Sequence, residues 1–225
     1  RKAGIKALED SKTRYTSNSG LLYLRETISK YLNGKYSLNY CPQGEILVTV
    51  GGSEAIDIAI RAVVNPGDEV IIQGPNWPDY KGQIDMVNAK TVYAKVDEKN
   101  EFKMTADVIE PLITDKTKLL LLSFPNNPTG AVMEREDLEA IAEVIIKHDI
   151  YVISDEPYRE LVYDGNGEDF LTKYYKNTLV GYSFSKSLSL PGERIGYLVM
   201  PKELDDYDNA EKYINLSTYI ERKQI

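Results

Sequence analysis

The chain has 225 residues and a formal charge of −8, with 35 acidic against 27 basic side chains. That length supports one large hydrophobic core, and the acidic balance argues against nucleic acid as a partner, because no basic surface is available to neutralise its backbone. One cysteine, Cys41, and one histidine, His148, leave neither an internal disulfide nor a His/Cys zinc cluster, and without a long apolar run or a signal-like start the expectation is a cytoplasmic protein with no membrane partner.

Residues 1–14 are mostly charged or small, with Ile5 and Leu8 as a short amphipathic pair, and read as the tail of a helix. The sequence opens within that pattern and without an initiator methionine, so a longer parent chain is expected. Tyr15-Thr16-Ser17-Asn18-Ser19-Gly20 is a polar turn. Leu24, Ile28, Tyr31 and Leu32 then recur at helical spacing and predict a helix over 21–33. On the residues alone, Tyr15 is a ring packed beneath that helix.

Residues 46–50 predict a short strand, and Gly51-Gly52-Ser53-Glu54 turns it directly into a largely buried helix over 55–64. Asp57 and Arg61 pair one turn apart on it. Glycines at a strand-to-helix turn allow close backbone approach, and the helix start offers free N–H groups to an anion. The run matches neither the Walker motif nor the Gly-x-Gly-x-x-Gly fingerprint, so an anion site and a plain turn both stay open here.

Asn65-Pro66-Gly67-Asp68 is a turn before a strand at 69–73. Gly74-Pro75-Asn76-Trp77-Pro78-Asp79-Tyr80 then leads into a helix that runs to about Val87. Trp77, the sole tryptophan, is by default a core residue, but it lies just past the end of a strand, where open α/β sheets carry ligands. A strand at 91–94, an acidic turn at 97–101 and a helix at 106–112 follow. Residues 118–123 hold four consecutive leucines, a central-strand signal. They run into Phe124-Pro125-Asn126-Asn127-Pro128-Thr129-Gly130, a rigid turn whose asparagines can offer amide groups at the sheet edge.

Residues 134–148 predict an amphipathic helix with Leu138, Ile141, Ala142 and Ile145 on one face. His148, near its end, reads as a capping or surface residue. The strand at 150–154 ends in Asp155-Glu156-Pro157-Tyr158. A carboxylate there is a metal ligand, a base or a cofactor partner, and no acidic cluster with metal spacing supports the first. After a mixed loop at 163–177, Leu179, Val180 and Tyr182 mark another buried strand, which breaks into a loop holding Ser183, Ser185 and Lys186. Gly192-Glu193-Arg194 and a second apolar run over 195–200 come next. A lysine at the end of a core strand is expected to be partly buried beside other cations, which lowers its pKa and readies the amine to attack a carbonyl. The serines and Arg194 suit a phosphate. An ordinary polar loop joining two strands is the competing reading.

Ser183-Phe184-Ser185-Lys186, followed by Gly192-Glu193-Arg194-Ile195-Gly196, resembles the cofactor-lysine region of the class I/II aminotransferase family, pyridoxal-phosphate enzymes of fold type I. Further stretches resemble that family in the same order over residues 15–200. They are Tyr15 with Gly20-Leu21 and Leu24-Arg25, the Gly52-Ser53-Glu54 turn, the Pro75-x-Trp77-x-x-Tyr80 run, Asn127-Pro128-Thr129-Gly130, and Asp155 with Tyr158. The resemblance implies pyridoxal 5'-phosphate as cofactor, held as a Schiff base on Lys186. Gly52, Ser53, Ser183, Ser185 and Arg194 would hold its phosphate, with Glu54 contributing its backbone N–H because its carboxylate would repel the anion. Trp77 would stack on the ring, Asp155 would salt-bridge the ring nitrogen, and Asn127 and Tyr158 would bond the phenolate oxygen. Tyr15 would reach the phosphate of a neighbouring subunit, which implies a homodimer.

Strands alternating with helices between 46 and 184 predict a three-layer α/β/α fold with a mostly parallel sheet, and the resemblance implies seven strands in it. Nearly all candidate residues fall at carboxyl ends of strands, as ligand sites in such sheets do. The expected organisation is a helix tail at 1–14, a cofactor-binding large domain at 15–200, and at 201–225 the start of a linker helix to an absent C-terminal small domain. The implied activity transfers an amino group from an amino acid to a 2-oxo acid, with Lys186 moving the proton and Asp155 and Tyr158 tuning the ring. A carbon–sulfur lyase or related elimination enzyme would use the same cofactor residues, and an inactive cofactor-domain fragment is a third reading. The arginine with which the family grips the substrate α-carboxylate has no assignable counterpart here.

Overall fold

The elements follow one another as α1 (Lys2–Glu9), α2 (Leu22–Tyr36), β1 (Ile46–Val50), α3 (Gly51–Val63), β2 (Glu69–Gly74), α4 (Asp79–Met86) and β3 (Lys90–Lys95). Then come α5 (Ala106–Ile109), β4 (Thr117–Ser123), α6 (Arg135–Ile146), β5 (Tyr151–Asp155), β6 (Thr178–Ser183), α7 (Phe184–Ser187) and β7 (Ile195–Val199). The computed structural model describes residues 1–163 and 169–204. Part of the loop expected over 163–177, and all but the first residues of the linker helix expected over 201–225, lie outside the described residues.

Side chains on a strand alternate between its two faces, and β4 shows what that does here. Leu119 and Leu121 join one helical layer, Leu120 and Leu122 the other, and all four are buried. The first layer is α3 and α4, where Ala55, Ile56, Ala59, Ile60 and Ile84 cover Leu119, Leu121, Ile153 and Leu179. On the opposite face, α6 sets Leu138, Ile141 and Ile145 against Ile71, Leu120 and Val152. Beside it, α2 sets Ile28 and Leu32 against Val180, Tyr182 and Val199. Helices on both faces of a largely parallel sheet make the expected three-layer α/β/α architecture of fold type I.

The sheet has seven strands in the order β1-β7-β6-β5-β4-β2-β3. β7 runs antiparallel to β1 and β6, and the remaining pairs are parallel. The reversal has a consequence for the site. It brings the start of β7, and with it Arg194, to the edge where β1, β4, β5 and β6 end. In register, Gly196 stands opposite both Thr49 of β1 and Ser183 of β6.

Three local departures from the predicted elements have physical causes. α3 begins at Gly51 rather than Ala55, because Gly51 takes φ +78°, a left-handed value that lets a helix start directly at the strand end. The helix expected over 106–112 stops at Ile109 and continues as a 3-10 turn over Glu110–Leu112, since Pro111 has no N–H for the α-helical ladder. The loop expected after β6 is instead a helical turn, α7. Ser183 caps it by accepting the Ser185 N–H at 3.2 Å.

Two glycines hold this architecture closed. A Cβ on Gly196 would lie 2.6 Å from the Tyr182 carbonyl oxygen, 2.7 Å from Gly51 C and 2.8 Å from Gly52 N. One on Gly181 would lie 2.7 Å from Ile56 Cδ1. All three neighbours of Gly196 are backbone atoms, which cannot rotate aside. Gly196→Ala is therefore expected to destabilise the fold by about 1–3 kcal/mol through overpacking, read as a lowered urea midpoint. Gly192→Ala, where a Cβ meets nothing within 4 Å, is the control and is expected to leave the midpoint near the parent's.

Candidate active site

Strand ends and the start of β7 converge on a cavity of about 210 Å³. Every residue expected at the site lines it except Glu54 and Tyr15, and Tyr80, Ser123, Pro157 and Pro191 line it as well.

One wall is built for an anion. The start of α3 carries Gly52 and Ser53 with backbone N–H groups that have no partner within the helix. Thr49 Oγ1 donates to the Gly51 carbonyl at 2.8 Å and steadies the turn. Gly52 packs so tightly on β6 that an added Cβ would stand 3.1 Å from Ser183 Cβ, and a Cβ on Gly51 would collide with the Arg194 guanidinium. Arg194 itself sits in the left-handed region at φ +51° and donates from Nη1 to the Pro191 carbonyl at 2.9 Å. Glu54 lies outside the cavity lining, and its carboxylate folds back to accept the Val50 N–H. The side chain is thereby occupied with the chain entering the helix and turned from any bound anion.

The opposite end is buried and acidic. Asp155, the last residue of β5, is buried and accepts the Tyr80 hydroxyl on Oδ2 at 2.6 Å. Burial pushes its carboxyl up from 3.8 to about 7, opposed by the Tyr80 hydrogen bond, while the negative charge of Glu156 adds to the rise. The Tyr80 hydroxyl is held well above its usual range, first by burial and then by the adjacent Asp155. No salt bridge to Asp155 occurs among the described residues. Trp77, half-buried against the α3 layer, meets the Tyr80 ring edge-on at 5.3 Å between centroids.

The turn after β5 rests on a buried ion pair that no pattern in the sequence announces. Arg159 Nε donates to Glu156 Oε2 at 2.9 Å, the guanidinium's Nη2 lies 2.6 Å from the same oxygen as an ion pair, and Ser154 Oγ donates to Glu156 Oε1 at 2.6 Å. The guanidinium also lies 3.6 Å from the centroid of the Phe170 ring. Desolvated on both sides, such a pair holds its geometry because losing either partner strands a buried charge. The rigid turn fixes Pro157 and Tyr158 at the cavity.

The two asparagines after β4 divide their work. Asn126 is buried, and its Oδ1 accepts from Thr129 N at 3.3 Å and Thr129 Oγ1 at 3.0 Å, closing the turn. Asn127 is thereby left to face the cavity. Lys186 sits on α7 with Nζ 5.2 Å from the centroid of the Tyr158 ring. It is exposed rather than partly buried as expected, because α7 carries it out of the strand and over the rim. Tyr15 is fully exposed, so it does not pack beneath α2. His148 is exposed just past α6.

Tyr80 and Ser123 join the site beyond the residues expected from the sequence. Tyr80 stood one helical turn after Trp77, on the same face of the coming helix, and that spacing was the available signal. Ser123 carried none, as the polar end of an apolar strand.

The arrangement makes a pH prediction for cofactor-free protein. With its pKa raised from 3.8 to about 7, Asp155 holds its proton more tightly folded than unfolded. Its contribution to stability is complete below the lower value and is lost as pH rises through the higher one. Relative to the parent, Asp155→Asn is expected to gain stability progressively between about pH 4 and pH 7, by at most roughly 4 kcal/mol. Urea melts across that range measure it, and a difference that does not change with pH would contradict the burial argument.

A family model described as aminotransferase class I and II matches residues 1–217. The protein YugH of Bacillus subtilis (strain 168), whose aminotransferase name is provisional, is 43% identical over 211 residues, covering 92% of this chain and 54% of its own length. An aspartate aminotransferase of Geobacillus stearothermophilus is 35% identical over 206 residues, covering 90% of this chain and 52% of its own. A solved tetra mutant of the Thermus thermophilus aspartate aminotransferase superposes with a TM-score of 0.89 at 33% identity, covering 97% of this chain and 58% of that one. The chain thus spans about half the length of the curated relatives it matches. A match along nearly the whole chain, on a sheet of the same topology class, decides its kinship: the chain belongs to the class I and II aminotransferase family, the pyridoxal-phosphate-dependent proteins of fold type I.

Proposed function

We propose that this chain is the cofactor-binding part of an aminotransferase that moves an amino group from an amino acid to a 2-oxo acid through pyridoxal 5'-phosphate. The observation that carries the reading is Asp155, a buried carboxylate without a cationic partner among the described residues, facing the same cavity as an amine and an anion cup. A pyridine nitrogen is a base that a buried carboxylate can hold protonated, so the residues present fit the group. The relatives' printed names, aspartate aminotransferase among them, support the reaction class.

Each side chain then has a task. Ser53, Ser183, Ser185, Arg194 and the N–H groups at Gly52, Ser53 and Glu54 bind the phosphate. Trp77 offers its indole face to the ring, and Asn127 and Tyr158 donate to its phenolic oxygen. Asp155 keeps a negative charge against the ring nitrogen. Lys186 is the amine that attaches the cofactor and, once released, takes and returns the proton at the substrate Cα. When bound, the cofactor supplies an electron-withdrawing ring that stabilises negative charge on that carbon. Tyr15, fully exposed, is free to reach the phosphate cup of a second copy, so the protein acts as a homodimer.

Borohydride reduction of the intact protein incubated with pyridoxal phosphate, followed by peptide mass mapping, is expected to place the adduct on Lys186. An adduct elsewhere would remove Lys186 from its role. Asp155→Ala is expected to slow the half-reaction with an amino acid at least a hundredfold, since a charge that matters as the carbanion develops is a transition-state contribution. Rapid mixing measures it, and a near-parental rate would assign Asp155 to structure alone. Sedimentation is expected to give a dimer, and an active monomer would exclude Tyr15.

A further inference from the structure

The buried Tyr80 hydroxyl makes a strong contact at the cavity that none of the assigned roles uses. Tyr80 reaches Asp155 Oδ2 at 2.6 Å from α4, and Ser123 at the end of β4 lines the cavity with it, its hydroxyl working to lower the phenol's pKa against burial. One turn further along α4, Gln83 Nε2 donates to the Ser53 carbonyl at 3.0 Å, so this helix is tied to both ends of the cavity. The other groups around Asp155 are Glu156, whose charge is committed to Arg159, and the apolar pair Gly181 and Ile56, while Tyr158 lines the same cavity and acts on Tyr80. Among the described residues, Tyr80 is the one hydrogen-bond donor to this carboxylate.

We propose that Tyr80, with Ser123 beside it in the cavity lining, is the positioning residue for Asp155: it fixes one carboxylate oxygen, keeps the group anionic, and leaves the other oxygen for a bound ring nitrogen. The inference rests on the reading of the site given above. A buried carboxylate of raised pKa is on the verge of taking up a proton near neutrality, and a protonated acid is a poor partner for a pyridinium. A donated hydrogen bond favours the charged form. It also stops the side chain from rotating, because the donor is buried on a helix that Gln83 ties to the start of α3.

The test compares two ligands on one variant. Tyr80→Phe removes the hydroxyl and keeps the ring that packs on Trp77. In the intact protein it is expected to weaken binding of pyridoxal phosphate roughly tenfold or more, the loss associated with a charge-assisted hydrogen bond. It is expected to leave binding of the 1-deaza analogue, in which the ring nitrogen is a C–H, within twofold of the parent. Equal weakening of both ligands would mean that Tyr80 only shapes the cavity, and no weakening of either would mean that Asp155 is set without it. In an Asp155→Asn background, Tyr80→Phe should change neither affinity further, and a continued loss would overturn the coupling. A readout without cofactor is infrared titration of the Asp155 carboxyl, identified by its loss in Asp155→Asn. Its midpoint should move upward in Tyr80→Phe, and an unmoved midpoint would refute the proposal. Should Tyr80→Phe fold poorly, Ser123→Ala is expected to show the same selectivity at smaller size, and its absence would count equally against the inference. If the unsubstituted protein binds no pyridoxal phosphate, the reading of the site fails and this inference with it. If it binds but the selectivity is missing, the inference fails alone.

Discussion

The close crossing of three backbone segments, at Gly51–Gly52, Tyr182 and Gly196, is the constraint on which the site depends. Gly196 of β7 lies against the carbonyl of Tyr182 on β6 and against the first turn of α3, with no space for a Cβ. Without that approach, α3 would start farther from the sheet edge, and Ser53, Ser183 and Arg194 would not share one wall. Glycine in a strand interior weakens the strand by entropy and lost packing. Here the loss is offset by what the approach makes possible: a helix N-terminus, two serines and an arginine gathered on one side of a cavity. The antiparallel sense of β7 is part of the same device, because a parallel strand at that place would carry its start, and Arg194, to the far edge of the sheet.

At the other end of the cavity the constraint is electrostatic. Two consecutive carboxylates, Asp155 and Glu156, are buried at the end of β5, and burial favours their neutral forms. The fold treats them differently. Glu156 receives a guanidinium and a serine hydroxyl, so its charge is answered within the protein. Among the described residues, Asp155 receives a phenol alone. One acid is thus satisfied structurally and locks the turn, while its neighbour keeps unmet demand for a cation. Unequal provision for two adjacent acids is how an environment assigns them different roles.

Much of this was legible in the sequence. Alternation of short apolar runs with amphipathic segments points to the layers and the mostly parallel sheet, because its central strands are buried on both faces and read as continuous aliphatic stretches, as in the four leucines of β4; the number seven comes with the family resemblance. The residues lining the cavity were legible because they sit where those runs stop. What was not legible depended on partners distant in the chain. Gly181 and Gly196 look like ordinary strand glycines until Ile56 and the Gly51 turn are placed against them. Arg159 looks like a surface residue after a turn, and only the fold sets Phe170 over its guanidinium. Tyr80 was visible as part of a pattern, but its bond to a residue 75 positions later was not. The exposure of Lys186 is hidden for a local reason, since a four-residue helical turn capped by Ser183 has the composition of a polar loop.

That exposure is consistent with the work proposed for the lysine. The groups at the inner end must stay still: Asp155, Tyr80 and the Glu156–Arg159 pair are buried on strand ends or braced helices, where small displacements are resisted by close packing. A lysine that first holds a cofactor and then carries a proton needs the reverse. Its amine must reach two positions, and a flexible four-carbon stem on a single helical turn at the rim supplies that reach at little cost in packing. Side-chain rotation at an exposed position is fast compared with motion of a strand end. Rigid charges at the inner end and a mobile amine at the mouth thus follow from where β5 and β6 end. β5 stops inside the layers, whereas β6 passes through a capped serine into a turn that leaves them.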